Sequence, residues 1–145
     1  MALIIENGSE VINANSFVTD AEFTDYATAK GLTVAATAQL READLLAGMD
    51  YLSSKESCLK GRRVSADQTL LFPRVGVYLF GYLVASDAIP KQLKHAQMEA
   101  AAHSTSGTLL SNTESNNRSK EKVDSIEVGY FKGGLRNTVN LQRVN

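Results

Sequence analysis

Residues Leu71 to Ala102 read LFPRVGVYLFGYLVASDAIPKQLKHAQMEAAA, a Pro-Arg-x-Gly loop rich in aromatics that runs straight into a helical segment. Pro73 fixes one backbone angle, Gly76 and Gly81 permit turns, and Tyr78, Phe80 and Tyr82 alternate as strand residues do. The expectation is an extended, well-defined segment that offers its rings to a partner. Ile89-Pro90 then opens a helix, because proline fits the first helical turn and lacks an amide proton that would go unpaired there. That helix is expected over about Pro90 to Ser104, with Leu93, Ala96, Ala100 and Ala101 toward the core.

Upstream, Thr19 and Glu22 have the spacing of a capping box, so a helix is expected from Asp20 to Lys30, closed by Gly31 and carrying Phe23, Tyr26 and Ala27 on one face. A second helix should start near Thr37 and run to Ser54 with Leu45, Leu46, Met49 and Leu52 as its apolar stripe. Asp50-Tyr51 within it reads as a polar edge with no chemistry. Before these helices, Met1 to Phe17 holds a short strand at Leu3 to Ile5 and a turn-rich lead-in, expected to be extended and easily moved.

Downstream, Ser104 to Ser119 is rich in Ser, Thr, Asn and Gly and reads as a flexible hinge. Beyond it Ile126, Val128 and Tyr130 alternate with Glu127 and Gly129, a strand with one buried face. Its partner is the Leu3 to Ile5 segment, a hairpin arm through Val139 to Val144, or a neighbouring subunit. The expected fold is mainly α, a small helical core of three principal helices with an extended aromatic loop and a C-terminal β-strand or hairpin arm. The expected division is a helical core over 1–105, a hinge over 106–119 and an extended arm over 120–145.

A chain of 145 residues fits one domain. Its hydrophobic share of 43%, without any run of about 18 apolar residues, argues for a soluble protein with no membrane partner. The start, Met-Ala-Leu-Ile-Ile-Glu, lacks the basic residues of a secretion signal. Cys58 is the single cysteine, which excludes an internal disulfide and a thiolate zinc cluster and suits a reducing, intracellular setting. The net charge of −1 is uneven: residues 1–50 carry eight acids and two bases, 51–117 five acids and seven bases, and 118–145 three acids and six bases. An acidic front and a basic tail suit head-to-tail association or a tail that reaches an acidic partner; a solvated surface of uneven composition accounts for the same count.

Lys60, Arg62 and Arg63 around Gly61 invite a phosphate-binding reading. The Walker spacing is missing and no aromatic lies among the bases, so a solvated basic loop competes with contact to DNA or an acidic neighbour. His95, Glu99 and His103 form a ridge at four-residue steps on the third helix. A surface arrangement is favoured over a metal there, and neither a metal nor a cofactor is expected. No nucleophile with its base, carboxylate pair or nucleotide loop has a diagnostic context, which shifts weight from an enzyme to binding or assembly, with no catalytic residues assigned.

One ordered series of short motifs adds a resemblance. It comprises Ala14-Asn15-Ser16-Phe17-Val18, Asp25-Tyr26, Asp50-Tyr51-Leu52, Gly61-Arg62-Arg63, Gln68, Phe72-Pro73-Arg74-x-Gly76 and Ile89-Pro90. It continues with Leu93-Lys94-x-Ala96-x-x-Glu99-Ala100-Ala101, Lys120-Glu121-Lys122-Val123 and Ile126-Glu127-Val128-x-Tyr130. Taken together these resemble a family of small tailed-bacteriophage proteins often labelled DnaT-like single-stranded-DNA-binding proteins. Such proteins look like head-tail connector, or head completion, adaptors. The resemblance implies a structural virion protein made in the host cytoplasm and placed at the head-tail interface. It would assemble as a homo-oligomeric ring, a dodecamer, on the portal protein, and meet a tail or second adaptor protein. Genomic DNA would pass through its channel without sequence readout.

On that reading Phe72, Pro73, Arg74, Gly76, Tyr78, Phe80, Tyr82, Lys120, Lys122, Ile126, Val128 and Tyr130 form the portal and subunit interface, with Lys60, Arg62 and Arg63 facing the DNA channel. The alternative is a DnaT-like single-stranded-DNA-binding replication protein. The chain departs from the family at the residue before Pro-Arg, usually Trp and here Phe72, which keeps the apolar packing but not the indole donor.

Overall fold

The computed structural model describes residues 2–107, 120–123, 126–130 and 139–143. The chain divides into two units, Met1–Ser111 and Asn112–Asn145. The first is built on three helices, α1 (Asp20–Lys30), α2 (Ala38–Ser54) and α3 (Lys91–Ser106). Between α2 and α3 lie four two-residue strands: β1 (Arg62–Arg63), β2 (Arg74–Val75), β3 (Tyr78–Leu79) and β4 (Tyr82–Leu83). A mainly α core with two small antiparallel strand pairs matches the expected class at that level.

The helix ends follow local chemistry. Thr19 Oγ1 accepts from the Glu22 amide at 3.2 Å while the Glu22 carboxylate accepts from the Thr19 amide at 2.8 Å, so two otherwise orphaned donors are paired. Such a cap contributes about 1 kcal/mol. Thr37 caps α2 through the Leu40 amide. Pro90 stands one position before α3, with ψ at 139° rather than helical, and its carbonyl accepts from the Leu93 and Lys94 amides. It therefore caps the helix rather than opening its first turn, and α3 continues two residues past the expected end.

Two apolar clusters fill the unit. Phe17, Met49, Leu71 and Phe72 centre one; Val18, Phe23, Leu45 and Met98 centre the other. Each fully buried Phe, such as Phe17 or Phe23 at 0% exposure, contributes about 1.5–3 kcal/mol. Helices α2 and α3 approach closely at Gly48, where an added Cβ would sit 2.8 Å from the Gln97 carbonyl oxygen.

The lead-in departs from expectation. Ala14, Ser16, Phe17 and Val18 are buried, and Glu6, at 1% exposure, accepts backbone amides from Gly8, Glu10 and Val11. Rather than being easily moved, the segment is pinned from inside. Gln97, wholly buried on α3, accepts from the Phe17 amide at 2.9 Å and donates to Ser16 Oγ and the Leu45 carbonyl. One side chain thus ties lead-in, α2 and α3 together, and each of these bonds contributes about 0.5–1.5 kcal/mol. Ile5 makes a parallel bridge to Ser16, its own neighbour in the lead-in.

The second unit contains β5 (Lys120–Val123), β6 (Ile126–Tyr130) and β7 (Val139–Arg143), antiparallel in the order β5-β6-β7. Tyr130 pairs with Val139 and Ile126 with Arg143, so of the three partners open to the Ile126 strand it takes the Val139 segment, along with β5 on its other edge. Residues 108–119, where most of the expected hinge falls, lie outside the described residues.

Candidate functional site

The segment from Leu59 to Leu83 is held by polar chemistry more than by strand length. Strand β1 pairs with β2 so that Arg62 lies opposite Val75 and Arg63 opposite Arg74. Two like charges facing each other across a ladder repel. Glu56 removes the conflict: its Oε1 accepts from Arg63 Nε at 2.7 Å and Arg74 Nη1 at 3.0 Å, and its Oε2 accepts from Arg63 Nη2 at 2.6 Å. The Arg63 hydrogen bonds above all, with Arg74 behind them, hold the Glu56 carboxyl below its ordinary range despite partial burial.

Arg74 is only 6% exposed and points inward, donating to the carbonyls of Lys60 at 3.0 Å, Gly61 at 2.9 Å and Leu71 at 3.3 Å. Gln68 locks the other side of the turn, donating to the Leu70 and Pro73 carbonyls. The Phe72-Pro73 bond in this turn is cis. Phe72, Pro73 and Arg74, named from sequence as interface residues, are therefore buried inside their own chain.

This scaffold faces two cations outward. Lys60 and Arg62 are exposed, and neither joins an ion pair among the described residues, whereas Arg63 is committed to Glu56. Gly61 sits between them against the Val75–Val77 backbone. Its φ is +72°, and an added Cβ would lie 2.3 Å from the Val75 carbonyl oxygen and 2.9 Å from Val77 Cγ2. Glycine is required on both counts.

Past Gly76, whose φ of +76° turns the chain, β3 and β4 form a hairpin with Tyr78 opposite Leu83 and Leu79 opposite Tyr82. Two residues, Phe80 and Gly81, make the turn, both with positive φ (53° and 85°), the pattern of a type I′ hairpin turn. The sequence suggested one extended run through Tyr78, Phe80 and Tyr82. Instead Gly81 lets the chain reverse there, and Phe80 takes a left-handed conformation that costs a bulky residue about 1–2 kcal/mol. Exposure is 64% at Tyr78, 84% at Phe80, 80% at Tyr82 and 62% at Leu83. Leu79 alone of the hairpin turns back onto the core.

Val75 to Tyr78 spans three residues, at most about 11 Å of chain, so the basic turn, paired to Val75, and the aromatic hairpin adjoin along the backbone. That the aromatics are absent from the basic stretch in sequence is overcome by the β1–β2 pairing. Of the other residues named from sequence, Lys120 and Lys122 lie on β5, opposite Gly129 and Glu127, and Ile126, Val128 and Tyr130 lie on β6.

Within the His95, Glu99, His103 ridge the central carboxylate and the first imidazole are engaged by protein. Glu99 Oε1 accepts from the Tyr26 hydroxyl at 2.8 Å and Lys30 Nζ at 3.0 Å, and the His95 ring lies 4.8 Å from that of Tyr26. No cluster of three or more His, Cys, Asp or Glu suited to a metal occurs among the described residues. Glu56, Gln97 and Glu6, which organise the fold and the site, carried no sequence signal, because isolated polar residues reveal burial only once their partners are placed.

The family model described as "Putative DnaT-like ssDNA binding protein" matches residues 1–145. No curated protein and no solved structure matches. The family description corrects the head-tail adaptor reading. It names single-stranded DNA as the partner and gives no support to portal docking, to a ring on the portal, to a tail protein partner, or to DNA passing through a channel unread.

Proposed function

The chain belongs to the DnaT-like ssDNA binding protein family, and from that premise we propose that it binds single-stranded DNA through the surface formed by Lys60, Arg62, Tyr78, Phe80 and Tyr82. The observation that carries this reading is the adjacency of two exposed cations, without an ion pair among the described residues, and three largely exposed rings on one turn-and-hairpin segment. Non-specific single-strand binders combine these two elements, cations that follow the phosphates and rings on which bases stack.

Lys60 and Arg62 contact backbone phosphates; the rings take bases without choosing among them, since every base has a π-face. Glu56 and Arg74 are positioning residues that hold the turn from behind. The net charge of +3 over residues 118–145 adds a second, diffuse attraction for phosphate. The protein acts by binding and performs no catalysis, in keeping with a family of binding proteins.

The test is fluorescence anisotropy with a labelled oligo-dT across a salt series. Losing Lys60 and Arg62 together should flatten the salt dependence by about 1.4 in the log–log slope, at roughly 0.7 per phosphate contact on a single strand. An unchanged slope sinks the assignment of these cations.

A further inference from the structure

Strand alternation sets how the three rings are arranged. Tyr78 lies opposite Leu83 and Tyr82 opposite Leu79, so the two tyrosines project to opposite faces of the ribbon, and Phe80 stands at its end. Rings placed this way each take a separate base and do not form one flat platform. They make a narrow wedge with an aromatic tip and an aromatic flank on each side.

The tip residue strengthens that reading. In a two-residue turn with both φ positive, Asn-Gly is the unstrained choice, yet this chain has Phe80-Gly81, with Phe80 at a φ of 53° and 84% exposed. Its ring gains little from packing within the chain. A bulky residue held in a disfavoured conformation and turned to solvent marks a contact made outside the molecule. The occupant is fixed by chemistry: the exposed cations of the adjoining turn select phosphate, and an aromatic wedge fits where stacked bases end.

Resting on the single-strand reading above, we infer that the hairpin recognises the junction between single- and double-stranded DNA. Phe80 stacks on the last base pair of the duplex, and Tyr78 and Tyr82 each meet one of the two departing strands. Lys60 and Arg62 bind the phosphates of the strand on their side.

The experiment compares three probes at one salt concentration: a single strand, a fork with two unpaired arms of that same length, and a blunt duplex. The full chain is measured beside Phe80→Asn, which suits the turn and so leaves the hairpin folded. The wild type should bind the fork at least about tenfold tighter than the strand and the blunt duplex weakest, and Phe80→Asn should weaken both but the fork more, bringing fork and strand to parity. Equal wild-type affinity for fork and strand overturns the junction proposal while single-strand binding stands. A fork preference that survives Phe80→Asn also overturns it, by assigning the preference to duplex charge. Binding to none of the three removes the single-strand reading and this proposal with it.

Discussion

Replacing Phe80 with Asn should stabilise the protein and weaken its hold on DNA. The left-handed conformation at Phe80 (φ 53°) costs a bulky residue about 1–2 kcal/mol, and Asn adopts it readily. Little is lost in exchange, because the ring is 84% exposed in the folded chain. A gain near 1 kcal/mol raises the unfolding midpoint by about 3–8 °C for a unit of this size. The ring's contribution to binding runs the other way: one base–aromatic stack is worth about 1–3 kcal/mol, or roughly a 5- to 150-fold loss of affinity. Thermal unfolding followed by circular dichroism, beside anisotropy with oligo-dT, reads both signs on one preparation. A lowered midpoint refutes the strain argument. Unchanged affinity at a raised midpoint refutes the contact.

Further outcomes follow from the same geometry. Arg63→Ala should change the salt dependence of binding far less than Arg62→Ala, since Glu56 already holds Arg63, and equal slopes in a titration series count against that distinction. Gly61→Ala forces a Cβ to 2.3 Å from the Val75 carbonyl at a φ of +72°, so affinity should drop with the loss of the turn, read by anisotropy against a midpoint from thermal unfolding. Gln97→Leu leaves the Phe17 amide without a partner in a sealed site and removes the second bond to the Leu45 carbonyl, a cost of about 1–3 kcal/mol for the unsatisfied amide, measurable by urea unfolding. Glu56 beside Arg63 and Asp20 beside Arg41 have folded-state values below the ordinary 4.5 and 3.8. Their contribution is thus fully present above those values and lost as pH falls through the depressed ones, and Glu56→Gln should flatten this acid limb of a stability–pH curve.

The helices were legible because their signals are local. The Thr19–Glu22 box, Thr37 and Gly31 are read within one turn of chain, and each cap stands where its spacing placed it. Pro90 stands one position outside the helix, since a fixed φ suits a cap as well as a first helical residue. The lead-in looked mobile because nothing near it in sequence reveals that Gln97, some eighty residues on, receives the Phe17 amide.

The site was visible in parts only. The aromatics and the cations each stand out in the sequence, but alternation at Tyr78, Phe80 and Tyr82 suggests one strand, whereas two positive φ values fold it into a hairpin. Phe72 and Arg74 stood out by motif and proved to be internal, Arg74 because the Glu56 carboxylate and three backbone carbonyls absorb its guanidinium. Which arginine faces solvent is decided by Glu56, and no spacing rule links Glu56 to either.

The most direct measurement is an anisotropy titration of a labelled single strand with the full chain at several salt concentrations, beside the variant lacking Tyr78, Phe80 and Tyr82 as aromatics. Saturable binding that weakens steeply with salt and is lost on replacing the three rings by alanine is the expected result. No binding at low salt, or binding indifferent to the rings in a variant that still folds, contradicts single-strand recognition by this surface.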